Sequence, residues 1–206
     1  MDFIASNEEL RRIYKTPEPT AGAIRKELKK LDGHCRAFIA RSPFVLIGSS
    51  DGGGNADVTP KGDRPGFAAI LDDSTIAIPD RPGNNRLDTL ENIVANPAVG
   101  LLFLIPGMNE TLRVNGEARI TVDAALRERL AVDGKPPLSV VVVAVSAAYM
   151  HCAKAFMRSQ LWQPQTWPDR ASLPTLGHIL RDQLALDQSA ADFDKALDEG
   201  YRATMW

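Results

Sequence analysis

The chain has 206 residues, about the length of one domain with terminal additions. Hydrophobic residues make up 44% and charged residues 24%, the balance of a globular protein rather than a disordered or fibrous one. The formal net charge is -2 at pH 7 and no basic stripe is visible, which argues against a nucleic-acid binder; an anionic ligand has to be held by a local cluster.

The N-terminus, MDFIASNEEL, lacks the basic-then-apolar order of a secretory signal. The longest apolar run, VVVVAV at 140–145, is too short to span a bilayer. The expectation is a soluble, cytoplasmic protein with no membrane partner. Two cysteines, Cys35 and Cys152, exclude a disulfide framework. Ser6, followed by Glu8 and Glu9, predicts a short helix over 6–14. Thr20 predicts a second helix through Leu31, with Ile24, Leu28 and Leu31 on one face. CRAFIARS (35–42) reads as a third.

The pattern changes at Phe44. FVLIGSS (44–50) reads as a strand, and DGGGN (51–55) as a turn in which glycine supplies positive φ. ADVTP, GFAAIL (66–71), a DDS turn and TIAIP continue an antiparallel meander. A helix is predicted at 84–95, capped by Asn84 or Asn85 and ended by Asn96-Pro97. AVGLLFLI (98–105), the PGMNE loop and TLRVNGEARIT (111–121) follow. In the last, Leu112 and Val114 alternate with Thr111, Arg113 and Asn115, as in a strand with one wet face. Asp123 caps a helix to about Val132. LSVVVVAVSAAYM (138–150) is apolar on both faces, as in a central strand. Helical patterns occupy 151–159, 175–185 and 189–203, with Phe193, Leu197 and Tyr201 aligned in the last. About six strands with one inserted helix predict a mainly β fold, a small antiparallel barrel with α additions. The order is not βαβ, and neither a G-x-G-x-x-G nor a Walker-type loop occurs.

Three stretches carry possible chemistry. In IPDRPGNNRLDTL (78–90), Arg81, Asn84, Asn85 and Arg86 gather where a helix begins. Free N–H groups and the helix dipole favour an anion there, and arginines fork onto phosphate oxygens. The bland alternative is that Asn84 caps, Gly83 turns, and the arginines are solvated or pair with Asp80 and Asp88. DVTPKGDRPGF (57–67) places Thr59, Lys61 and Arg64 at a strand end, otherwise an exposed charged connection. In MHCAKAFMRSQLW (150–162), a helix would set His151, Lys154 and Arg158 on one face, where the cations want an anion or simply face water. His34-Cys35 and His151-Cys152 have the wrong spacing for a metal, and none is expected.

Four strings stand in order over roughly residues 30 to 185: DVTPKGD (57–63), GNNRLDTLEN (83–92), LRVNGEARI (112–120) and KAFMRSQLW (154–162). Together they resemble the pyridoxamine 5'-phosphate oxidase-like flavoproteins of the split β-barrel fold, and within them an FMN-binding subfamily separate from the true oxidases. The resemblance implies a single domain over 1–206: N-terminal helices at 1–42, a six-stranded split barrel at 43–150, and a helical region at 151–206. It implies a homodimer with FMN at the subunit interface, DRPGNNR holding the phosphate through Arg81, Asn84, Asn85 and Arg86. In the oxidases a strand ending in lysine lies along the flavin. ADVTPK takes its place, making Thr59, Pro60 and Lys61 cofactor contacts. Thr111 stands where the oxidases have a glutamine, and Arg113 follows on the same face. Lys154 and Arg158 would lie near the flavin's pyrimidine end. The oxidases end in an Arg-rich segment that binds substrate phosphate; here DKALDEGYRATMW stands instead, so that substrate site is not carried over. The implied function is an FMN-dependent oxidoreductase with a small-molecule substrate or nicotinamide reductant and no assigned catalytic side chain. The alternatives are a flavin carrier or sensor without turnover, or a deazaflavin-dependent reductase.

Overall fold

The computed structural model describes residues 1–205. Seven strands run β1 (Phe44–Ser50), β2 (Ala56–Gly62), β3 (Ala69–Asp72), β4 (Thr75–Asp80), β5 (Ala98–Leu104), β6 (Thr111–Thr121) and β7 (Ser139–His151). They form one antiparallel sheet in the order β2-β1-β5-β6-β7-β4-β3. The expected six-stranded barrel is therefore corrected to a seven-stranded sheet whose two edges, β2 and β3, are not joined by a ladder. Period-two patterning builds it. In β1, Val45 and Ile47 are buried while Leu46 and Gly48 face outward.

The sheet nevertheless curls. β2 and β4 are five steps apart, which in a flat sheet at about 4.8 Å per step would be about 24 Å. Yet Lys61 Nζ of β2 lies 2.5 Å from Asp80 Oδ1 of β4. Only strong coiling brings them together, and side chains bridge the seam where backbone hydrogen bonds do not. The core enclosed this way includes Ile39, Val45, Ile47, Ile76, Ile78, Leu101, Phe103, Leu112, Val114, Val141 and Val143, each at most 1% exposed.

Helices plug the curl and flank it. α1 (Asn7–Ile13) starts on the Ser6 cap as expected, its hydroxyl accepting from Glu9 N–H. The predicted helix through Leu31 shrinks to α2 (Gly22–Arg25). Leu28 instead exchanges two backbone hydrogen bonds with Ala148, at 2.9 and 2.8 Å, on the β7 edge beyond the end of β4. α3 (Gly33–Ile39) begins earlier than predicted because Asp32 caps Cys35 N–H. It buries Cys35, whose thiol is pushed up to about 11 by burial. α4 (Asp88–Ala95) follows β4, and α5 (Ala124–Arg129) starts on the predicted Asp123 cap. After β7 come α6 (Lys154–Ser159), α7 (Leu176–Leu184) and α8 (Ala190–Thr204). His151 is the last residue of β7, paired with Thr111, and not part of a helix with Lys154 and Arg158. Among the described residues no helix is long and apolar enough to cross a membrane.

Candidate functional site

The seam opens into a cleft of about 520 Å³. One wall is the end of β2, with Thr59, Pro60, Lys61 and Gly62. Another is the connection from β4 to α4, with Asp80, Arg81, Asn84, Asn85 and Arg86. Seven of the sequence-selected residues thus meet in one place: Thr59, Pro60, Lys61, Arg81, Asn84, Asn85 and Arg86. Thr59 and Lys61 reach it from the less exposed side of β2, which as an edge strand keeps one row of N–H and C=O groups free of β-ladder bonds.

The three cations differ sharply in availability. Arg81 has a side chain 14% exposed; its Nε donates to Asp63 Oδ2 at 2.9 Å and Nη2 to the Leu130 carbonyl at 2.9 Å. Lys61 is 20% exposed and tied to Asp80. Arg86 is 75% exposed. Its Nε donates to Asp88 Oδ2 at 2.8 Å, which keeps its pKa raised, and its terminal nitrogens bond no described residue. Of the pairings anticipated for the bland reading, Arg86 with Asp88 forms. Asp80 pairs with Lys61 rather than with an arginine.

The local backbone also departs from expectation. α4 starts at Asp88, not at 84, and neither Asn84 nor Asn85 caps it. Asn84 Oδ1 accepts from Arg86 N–H at 3.0 Å, closing a turn, and Asn85 takes a left-handed φ of 55°. Leu87 stands at the cap position and supplies no side-chain acceptor, so the first-turn N–H groups lack a side-chain cap. Thr89 in that turn donates its hydroxyl to Asp57.

Four chosen residues lie elsewhere. Thr111, 1% exposed, begins β6 opposite His151. Arg113 is on the outer face of the sheet against Tyr149. Lys154 and Arg158 are exposed on α6 and do not line the cleft. Phe67, Leu90, Leu138 and Tyr201 also line it, although no motif in the sequence marks them. Tyr201 comes from α8, where its i, i+8 spacing with Phe193 suggested only a packing stripe. Among the described residues no group of three or more His, Cys, Asp or Glu side chains is placed to hold a metal.

Comparison with known proteins fits this architecture. A family model described as pyridoxamine 5'-phosphate oxidase matches residues 31–152, from α3 approach to the end of β7. No curated protein matches the chain. Solved structures resemble it at a distance. HupZ of Group A Streptococcus is 16% identical with a TM-score of 0.48, over 58% of this chain and 93% of that one. An FMN-binding protein from Syntrophomonas wolfei is 16% identical with a TM-score of 0.45, over 57% and 83%. General stress protein 26 from Bacillus anthracis is 13% identical with a TM-score of 0.42, over 55% and 88%. Likenesses this distant say nothing of ligand or reaction, but the family match spans more than half of the chain: it belongs to the pyridoxamine 5'-phosphate oxidase family.

Proposed function

We propose that the chain is an FMN-binding flavoprotein, acting as an FMN-dependent oxidoreductase on a small molecule, with the seam cleft as its cofactor site. One observation carries the reading: inside the cleft the uncapped start of α4 sits beside the exposed guanidinium of Arg86. Helix-terminal N–H groups and a forked donor together suit a phosphate. The rest of the cleft fits a flavin's other parts. The open edge of β2, with Thr59, offers polar partners, and Phe67, Leu90, Leu138 and Tyr201 offer apolar surface. The volume lies within the range of small-molecule sites, about 300–1,000 Å³.

A bound isoalloxazine would supply the redox chemistry. The chain's own residues have simpler tasks. Arg86 and the α4 amides would hold the phosphate. Lys61, fixed by Asp80, would present a positioned cation along β2, and Arg81, engaged by Asp63 and Leu130, would set the shape of the wall. Arg86→Ala is expected to weaken FMN binding on the order of ten- to a hundredfold, the loss of charged hydrogen bonds, and to leave riboflavin binding unchanged. Fluorescence titration with both ligands checks it. Equal loss for riboflavin, or no loss for FMN, sends the phosphate elsewhere.

The homodimer is part of this proposal. The run at 140–145 does not supply its face, because Val140, Val141, Val143 and Val145 are buried in the chain's own core. Exposed Val58, Val94 and Leu138 are among the apolar side chains at the surface. Lys154 and Arg158 would reach a flavin only from a partner protomer. Light scattering of the FMN-loaded protein is expected to give twice the chain mass; a monomer with FMN bound would remove the dimer from the proposal. Anaerobic mixing with NADH or NADPH separates an enzyme, whose flavin bleaches, from a carrier.

A further inference from the structure

Among the described residues three cations line the cleft, Lys61, Arg81 and Arg86, and each already meets a carboxylate. Asp63, the partner of Arg81, and Asp88, the partner of Arg86, do not line it. Lys61 differs, because its partner stands on the cleft wall. Asp80 is the one carboxylate there among the described residues, and its Oδ1 accepts from Lys61 Nζ at 2.5 Å.

Burial gives this pair weight. The side chains of Lys61 and Asp80 are 20% and 15% exposed, against 75% for Arg86. Partly buried charges are screened by salt and water much less than surface ones. Both partners are also anchored in strands. Lys61 of β2 stands in register with Val45 of β1, and Asp80 ends β4 in register with Ser139 of β7. Asp80 thus holds Lys61 in place and at the same time balances its charge.

A first phosphate in the cleft finds the exposed Arg86 guanidinium and the uncapped N–H groups of α4. A second would have only Arg81 and Lys61 left. Arg81 already gives Nε to Asp63 and Nη2 to the Leu130 carbonyl. At Lys61 the phosphate would meet the ammonium and the Asp80 carboxylate together, so repulsion offsets attraction. An uncharged molecule meets no such conflict. It can accept one of the remaining Lys61 N–H donors and lie against Phe67, Leu138 and Tyr201.

We infer that, beside a bound flavin, the cleft admits a small uncharged molecule and refuses a phosphorylated one, and that Asp80 enforces the choice by balancing Lys61. The repulsive element is what makes the site selective. The inference rests on the cleft being the FMN site. It removes from the substrate class the phosphate ester for which the family is named.

Anaerobic calorimetric titration of the FMN-loaded full chain with pyridoxine and with pyridoxine 5'-phosphate tests it, because the two differ by the phosphate alone. The parent chain is expected to bind the ester no more tightly than pyridoxine. Asp80→Asn keeps the side-chain shape and uncovers the Lys61 charge. It is expected to tighten ester binding about tenfold or more and to leave pyridoxine within about twofold. Adding Lys61→Gln should abolish that gain. Asp80→Thr takes the place of Asp80→Asn if the asparagine variant does not retain FMN. A parent chain that binds the ester more tightly than pyridoxine, an Asp80 variant without the gain, or a gain that survives Lys61→Gln overturns the inference. FMN uptake is measured first, by fluorescence titration. A parent chain that takes up no FMN overturns the cofactor reading and the inference with it, whereas a flavin-loaded chain that prefers the ester overturns the substrate class alone.

Discussion

Asp63→Ala is expected to cost about 3–5 kcal/mol of folding stability, read from urea denaturation, because it removes the buried carboxylate that anchors the Arg81 guanidinium inside the seam. The Asp63 side chain is 1% exposed and Arg81's is 14%. Asp63 Oδ2 accepts from Arg81, and Oδ1 accepts from the Arg64 N–H at 2.6 Å. Arg81 in turn reaches the Leu130 carbonyl at the end of α5. One pair thus ties the ends of β2 and β4 to a helix terminus, across the gap the ladder leaves open. An exposed pair such as Arg12 with Glu8, at 70% and 80% exposure, is the contrast. Glu8→Ala should cost under about 1 kcal/mol, since water screens both charges. Asp63→Ala combined with Arg81→Leu should cost clearly less than the two changes added, because both single changes break the same ion pair. Additive losses, or an Asp63→Ala variant as stable as Glu8→Ala, would show that the seam is held by packing alone.

The same pair explains how much of the site was readable from sequence. The wall residues were legible, because a glycine-rich, Asn- and Arg-lined connection between a strand and a helix has few uses, and seven of the eleven selected residues do meet in one cleft. Their availability was not. Arg81 finds Asp63 18 residues back and Lys61 finds Asp80 19 residues on, encounters set by sheet curl and not by local spacing. The bounds of β1 and β6 were readable to the residue, although Thr111, expected on the wet face of β6 with Arg113 and Asn115, is buried. Helices failed where a distant backbone competed. Leu28 carries a helical stripe, yet Ala148 offers two hydrogen bonds that the local pattern cannot announce. His151 likewise continues β7 because Thr111 lies opposite it. Tyr201 carries the periodicity of a packing stripe, while its place at the cleft depends on where α8 lies.

Gly116→Ala is expected to be among the most damaging single changes in the chain, although it adds only a methyl group. Gly116 follows the register shift at Asn115/Gly116, where β7 carries an extra residue, Ser146, against β6. A Cβ there would sit 2.1 Å from the Ala144 carbonyl oxygen and 3.1 Å from Val143 Cγ1. Both lie in β7, and the nearest obstacle is backbone, which no rotamer change can clear. Alanine ordinarily stabilises by about 0.4–1 kcal/mol through the unfolded chain when the native site accepts it. Here that gain is overwhelmed, because β6 and β7 must separate by more than an ångström or lose ladder bonds. Overpacking costs about 1–3 kcal/mol even where side chains can yield, so a loss of about 3 kcal/mol or more is expected. Gly100→Ala, one strand over and opposite Asn115, is the matched control and should lie within about 1 kcal/mol of the parent. Equal denaturation midpoints for the two variants would mean that the bulge can shift, and that the close approach of β6 to β7 is not what fixes the register of the sheet.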